Sequence, residues 1–331
     1  MNRPYVPQEV LDAAHARASA RSARRWEDAD RLRAEIEAAG WRVVDAGTNF
    51  RLEPIEPPDL TDGDLIRYGR STSVPSRMAD PRTARATLVV VATDAPEVAD
   101  RAIASLIAQR DGRDQILVLV DGPNVSLEAR LDDVGSDIEV IRTATPLGAG
   151  AAINIAIRRA LGSIVVLIDA GLAVTGDIVS SLAVALEDPG VAVVGARGRG
   201  TEDLRNYEPV LADGDVTSIA RGVLAFRQAD GVALGPVDEA FATGDHLDTW
   251  WSLTLRAGAD TSSDARPRSA RVVAGLPLIW PGEGDTLPAE PSAARMAKRN
   301  FYRLLNDFRD RPELLHLRTF QVSHQFGRRR A

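Results

Sequence analysis

Three short apolar runs in this chain end in aspartate. Leu88–Ala92 leads to Thr93-Asp94, Ile116–Val120 to Asp121-Gly122, and Ile164–Ile168 to Asp169. A buried strand needs no carboxylate at its end. A ligand bound there does, because open α/β sheets bind ligands outside the carboxyl ends of their strands. A single Asp in that place is an ordinary turn or N-cap residue. Three of them set carboxylates along one edge of a sheet, where a nucleotide would lie. Arg197, Arg199 and Arg205 come after a later apolar run in a Gly-rich segment, and could face phosphates or solvent.

The elements that must position these groups are legible as alternating patterns. The stretch Leu147-Gly148-Ala149-Gly150 opens a helix of about Gly150 to Ala160, and Gly162 ends it. Ile164–Ile168 then reads as a buried parallel strand. Before it come a strand at Leu88–Ala92 and a helix from Pro96 to Gln109. A strand at Ile116–Val120, a short helix around Leu127–Leu131 and a strand at Ile138–Ile141 come next. After it come a helix from Asp177 to Leu186, whose first residue reads as a cap, and a strand at Val191–Val194. This βαβα order predicts a mostly parallel sheet with right-handed crossovers, flanked by helices. Neither GxGxxG nor GxxxxGK[ST] is present, which argues against dinucleotide and P-loop sites.

Composition narrows the class. With 331 residues, 44% hydrophobic and 26% charged, the chain reads as a globular protein of about two units. Its net charge of −7 argues against general nucleic-acid binding. Zero cysteines exclude disulfides and thiolate metal sites and suit a reducing cytoplasm. No apolar run reaches transmembrane length, and Met1–Val10 lacks the apolar core of a signal peptide. Residues 1–55 read as a helical hairpin followed by a β-hairpin, Trp41–Asp45 against Asn49–Leu52. Residues 56–85, with Pro57, Pro58, Pro75 and Pro81, read as a linker without regular structure. The α/β unit is expected over 86–315, with a flexible basic tail over 316–331.

The N-terminal stretch resembles the C-terminal module of cysteinyl-tRNA synthetases, through Ala16-Arg17, Trp26–Arg33 and Gly40–Asp45. In that family the module contacts tRNA. Residues 1–40 balance seven Arg against seven Asp and Glu, so packing or homo-oligomerisation is the expectation here.

Residues 86–260 resemble family-2-like glycosyltransferases of the glycosyltransferase A fold. The likeness rests on Thr93-Asp94, Asp121-Gly122, Leu147-Gly148-x-Gly150-x3-Asn154, Asp169 and Gly235–Phe241. Thr175–Asp177, Ala225–Arg227, Leu247–Ser252 and Lys298–Arg303 look like an actinobacterial subgroup. The resemblance implies a UDP- or GDP-linked sugar donor and an acceptor hydroxyl that is not specified. Thr93, Asp94 and Asp121 would bind the nucleoside beside Gly148 and Gly150, and Asp169 would face the ribose or diphosphate. A divalent metal, Mg²⁺ or Mn²⁺, would sit on Asp169. The acceptor base would be Asp248, with Asp245 and His246 close by. Trp250 and Trp251 would stack on a sugar, or else serve as core aromatics at a helix start.

The chain departs from that pattern at two places. The family's Asp-x-Asp is Asp169-Ala170-Gly171 here, and the late apolar strand Leu278–Trp280 is followed by no His; Glu283 or Asp285 could substitute. The expectation is therefore a glycosyltransferase with an altered metal motif, or a catalytically silent relative that binds nucleotide or a protein partner. A sugar-phosphate nucleotidyltransferase would share the architecture, but the Gly-rich, Arg/Lys-bearing loop it needs after the first strand is missing.

Overall fold

Val10, Ala14, Ile36, Trp41 and Val43 recur at helical and then strand spacing and are all buried. They form a small core of their own beneath α1 (Gln8–Ser22), α2 (Trp26–Ala38) and a hairpin of β1 (Trp41–Ala46) and β2 (Asn49–Pro54). Arg17, 5% exposed, donates 2.9 Å and 3.1 Å bonds to Asp45 and ties α1 to β1. That guanidinium holds the Asp45 carboxyl below the usual carboxylate range. Arg17, Ala29, Trp41 and Val43, which belong to the synthetase-like pattern, are thus packing residues of this module. The computed structural model describes residues 6–46, 49–55, 57–92, 96–132, 138–258, 267–280 and 291–315.

Residues 57–85 are not a structureless linker, and the expectation for 56–85 is corrected there. β3 (Leu60–Asp62) and β4 (Leu65–Tyr68) form a hairpin at the edge of the main sheet, where β4 runs parallel to its neighbour. The prolines flank these segments and leave every ladder N–H in place. Arg67 closes the edge with a 2.6 Å bond to the buried Glu128.

The main sheet continues with β5 (Ala84–Ala92), α3 (Pro96–Gln109), β6 (Gln115–Val120), α4 (Val125–Asp132) and β7 (Glu139–Thr143). Then come α5 (Ala149–Arg159), β8 (Gly162–Ile168), β9 (Ala173–Val174), α6 (Val179–Glu187) and β10 (Val191–Gly195). The last part adds short strands β11 (Gly198–Gly200), β12 (Glu208–Val210), β13 (Gly214–Val216) and β14 (Ser218–Ile219), then β15 (Val223–Arg227) and α7 (Gln228–Leu234). It closes with α8 (Leu247–Ala257), β16 (Ser269–Val272), β17 (Leu278–Ile279), α9 (Pro291–Phe308) and α10 (Pro312–Leu315).

The ten-stranded order is β13-β16-β10-β15-β8-β5-β6-β7-β4-β3. β8, β5, β6, β7 and β4 run parallel, as the alternating pattern implies, while β15 inserts antiparallel between β8 and β10. Alternate residues of β5 feed opposite layers. Leu88 and Val90 pack under α3, α4 and α6, and Val89 packs under α5 and α8. A strand buried on both faces is apolar throughout, which explains the unbroken Leu88–Ala92 run. Gly162 sits where β8 crosses close to β5: a Cβ there would lie 2.3 Å from the Ala86 carbonyl carbon. The helix expected from Asp177 starts at Val179, and Asp177 caps it by accepting bonds from the Val179 and Ser180 N–H groups at 2.9 Å and 3.1 Å. Among the described residues no helix is long and apolar enough to cross a membrane.

Candidate active site

The carboxyl ends of β6 and β8 bring Asp121 and Asp169 to the same edge of the sheet, and the two are used differently. Asp121 is 8% exposed. Its Oδ1 accepts the Leu147 N–H at 2.7 Å and the Thr143 hydroxyl at 3.0 Å, and its Oδ2 accepts the Gly148 N–H at 2.9 Å. Both oxygens are engaged in holding the turn that starts α5.

That turn is closed as well. The Ala149 N–H donates to the Ala242 carbonyl at 3.3 Å and the Gly150 N–H to the Phe241 carbonyl at 2.9 Å. A Cβ on Gly148, at φ +92°, would lie 2.8 Å from the Ala242 Cα, and one on Gly150 would lie 2.5 Å from the Asp238 carbonyl oxygen. A helix N-terminus binds anions only through N–H groups it has to spare. The expectation that Gly148 and Gly150 touch the ligand is therefore corrected: they let the segment 238–242 pack against α5. Asn154 clamps the same contact, with Nδ2 donating to the Val237 carbonyl at 3.0 Å and Oδ1 accepting the Val237 N–H at 2.8 Å.

Asp169 remains open. Its side chain is 30% exposed and forms an ion pair with Arg221, itself 62% exposed. Oδ2 accepts from Arg221 Nη2 at 2.8 Å and Nε at 3.2 Å, while Oδ1 accepts the Gly171 N–H at 3.0 Å. The backbone completes the tie, because the Asp169 N–H donates to the Gly222 carbonyl at 2.8 Å. Gly222 adopts φ +128° beneath Trp280, and a Cβ there would lie 2.4 Å from the indole ring. On Trp280 lies the Arg197 guanidinium, 3.2 Å from the ring centroid.

α8 brings Asp248 to this edge. Arg199 Nη1 donates to its Oδ2 at 2.8 Å and the Thr249 N–H to its Oδ1 at 2.7 Å, leaving the side chain 9% exposed. Burial raises its proton affinity above the ordinary carboxylate range, with Arg199 opposing. β14, just before Arg221 in the chain, is bonded to α8 beside Asp248: the Ser218 hydroxyl donates to that of Thr249 at 3.3 Å and the Ile219 N–H to the Ser252 hydroxyl at 3.1 Å. His246, in the left-handed region at φ 60°, precedes α8, and burial lowers its pKa. Asn300 of α9, 1% exposed, fixes the approach to α8 by donating to the carbonyls of Thr243 and Asp245 at 3.2 Å and 3.0 Å.

The tryptophans do other work. Trp251 is 1% exposed and packs edge-on to Phe226 at 5.5 Å, so its reading as a sugar platform is corrected to that of a core aromatic. Trp250 lies among Phe241, Trp251 and Phe308, and its indole N–H donates to Asp307 at 2.8 Å, joining α8 to α9. Thr93 and Asp94 fall outside the described residues, as do Glu283 and Asp285. Arg221, which no motif singled out, is the residue that sequence reasoning missed.

Residues 87–234 match the family model for glycosyl transferase family 2. The match contains Asp121, Asp169, Arg199 and Arg221 and ends before Asp248. The structure of GalNAc-T7 with UDP, GalNAc and Mn²⁺ superposes with a TM-score of 0.54 at 14% identity, covering 71% of this chain and 50% of that one. The fold is that of the glycosyltransferase A enzymes, and the chain spans half the length of that relative. Weaker likenesses are to the mannosyltransferase PcManGT of Pyrobaculum calidifontis with GDP-Man and Mn²⁺ (TM-score 0.41, 19% identity, 62% of this chain and 61% of that one). S. aureus TarS residues 1–349 give a TM-score of 0.44 at 12% identity, covering 68% of this chain and 72% of that one. No curated protein matches the chain.

A divalent metal at Asp169 is what the resemblance implies, and the donor set does not fit one. Mg²⁺ asks for six oxygens in octahedral array, and carboxylates are its usual protein anchors. Asp169 offers one carboxylate with Oδ2 already on a guanidinium, and Ala170 and Gly171 bring no side-chain donor. Among the described residues no three His, Cys, Asp or Glu side chains converge to hold an ion.

Proposed function

We propose that the protein transfers a hexose from a UDP- or GDP-linked donor to an acceptor hydroxyl, with Asp248 as the acceptor base. The observation that carries this reading is that Arg221, paired with Asp169, follows closely on β14, the strand bonded to α8 beside Asp248, within a segment matching the family-2 glycosyltransferase model and fold. GalNAc-T7 was solved with UDP, which supports a nucleoside diphosphate donor. Asp248 would take the acceptor proton as the new bond forms at the anomeric carbon. The small N-terminal core, residues 1–55, is proposed as a packing or assembly module. Light scattering on the chain with and without it tests this, and an unchanged mass per chain would count against assembly.

The test of the base is a donor-consumption assay on Asp248→Asn, expected to lose on the order of 10²–10⁴-fold in rate while still binding nucleotide. A base works ionised. Burial raises the Asp248 pKa, so the acid limb of kcat/KM should lie above the ordinary value of about 4. Arg199→Gln removes the opposing cation and should move that limb further up. An acid limb unmoved by Arg199→Gln would rule out Asp248. The second reading, a catalytically silent nucleotide binder, is favoured by the closure of Asp248 under Arg199. It predicts nucleotide binding with no donor consumed by the unmodified protein.

A further inference from the structure

We infer that Arg221, supported by Arg197, is the cation that binds the donor's diphosphate, standing where a metal ion would otherwise be. This rests on the glycosyltransferase reading and specifies how the diphosphate is held.

Charge comes first. A nucleoside diphosphate brings several negative charges to the edge of β8, and Asp169 adds another. The Arg221 ion pair cancels Asp169, and Arg197 leaves the trio with net charge +1. The next pair, Arg199 with Asp248, is closed on itself. The other anion site this edge could offer, the turn into α5, has the N–H groups of Leu147 and Gly148 committed to Asp121 and those of Ala149 and Gly150 to the carbonyls of Ala242 and Phe241.

Geometry adds to charge. Asp169 engages only Nε and Nη2 of Arg221, so the Nη1 face of the fork points elsewhere. At 62% exposure the side chain reaches solvent, as a ligand-binding group must. It is nevertheless held. The Asp169 carboxylate pins the guanidinium, and the 2.8 Å bond from the Asp169 N–H to the Gly222 carbonyl pins the backbone beside it. Arg197 is fixed from the other side. Its guanidinium rests on Trp280, and its carbonyl accepts the Ala220 N–H at 2.9 Å, next to Arg221 in the chain. Gly222 lets Trp280 come down onto the turn. Among the described residues no carboxylate pairs with Arg197, so its charge is available to an anion. One forked guanidinium is held by an aspartate and the other by a tryptophan that packs on the turn carrying the first, and the two forks are assigned to the paired oxyanions of a diphosphate.

The chemistry balances without a metal. The acceptor oxygen bonds to the anomeric carbon and the bond from that carbon to the phosphate oxygen breaks. The electron pair goes to the departing nucleoside diphosphate and the acceptor proton goes to Asp248. Arg221 and Arg197 bind the charge that develops on the leaving oxygen.

The experiment is calorimetric titration of the full chain with UDP and with GDP, each in EDTA and in Mn²⁺. One of the two nucleotides should bind in EDTA with a Kd within about twofold of its value in Mn²⁺. Arg221→Gln should weaken that binding about tenfold or more and Arg197→Gln less, while Arg221→Lys should restore part of it by returning the charge without the fork. The thermal melt of Arg221→Gln should stay close to the parent, because that side chain is exposed, while Arg197→Gln also gives up its stacking on Trp280 and should melt slightly lower. Binding only with Mn²⁺, or binding indifferent to Arg221→Gln, overturns the inference and leaves the glycosyltransferase reading standing. Failure of both nucleotides in both buffers overturns the two together.

Discussion

Asp121 and Asp169 end parallel strands of one sheet and look alike in the chain, yet one is sealed and the other is open. Asp121 is 8% exposed and accepts two backbone N–H groups and a hydroxyl. Asp169 is 30% exposed and faces an exposed guanidinium. The difference comes from the donors that neighbouring segments bring to each strand end. After β7 the chain returns with free N–H groups at the start of α5, and these need an acceptor inside the protein. Near Asp169 the turn between β14 and β15 delivers an arginine whose own hydrogen-bonding capacity exceeds what one carboxylate can take. A carboxylate at a strand end therefore becomes architecture or site according to the donors that the fold sends to it.

Several substitutions can break that contrast. The largest effect on stability is expected for Asp121→Ala, at about 3–5 kcal/mol, because the Leu147 and Gly148 N–H groups lose a charged acceptor. Urea unfolding with an unchanged m-value would register it. Gly150→Ala should come next, at about 1–3 kcal/mol, since its Cβ would meet the Asp238 carbonyl oxygen at 2.5 Å. The smallest effect is expected for Asp169→Asn, below about 1 kcal/mol, as befits an exposed ion pair. If Asp169→Asn destabilised the protein as much as Asp121→Ala, the division into sealed and open carboxylates would fail. If Asp121→Ala left unfolding untouched, Asp121 would have to be read as a ligand group.

The strands that build the edge were visible in the chain because burial on both faces demands unbroken apolar runs, as at Leu88–Ala92 and Ile164–Ile168. The cap at Asp177 was visible because its partners are the N–H groups two and three residues on. Trp251 was ambiguous, since an aromatic near a helix start reads equally well as core or as platform until its neighbours are known. Gly148 and Gly150 suggested a ligand-binding turn because local sequence shows their N–H groups and not the carbonyls of Phe241 and Ala242, distant in the chain, that close the turn. Arg221 carried no signal at all, being a lone arginine whose carboxylate partner lies 52 positions earlier.

Local order in the chain thus decided the alternation of strand and helix, the mostly parallel sheet and the placing of aspartates at strand ends, because periodicity and capping act over a few residues. The identity of the charge facing each aspartate was decided by the tertiary fold alone, because ion pairs and shared N–H groups join segments that only the closed sheet brings together. The same closure left Asp169 with an arginine and gave Asp121 to the backbone.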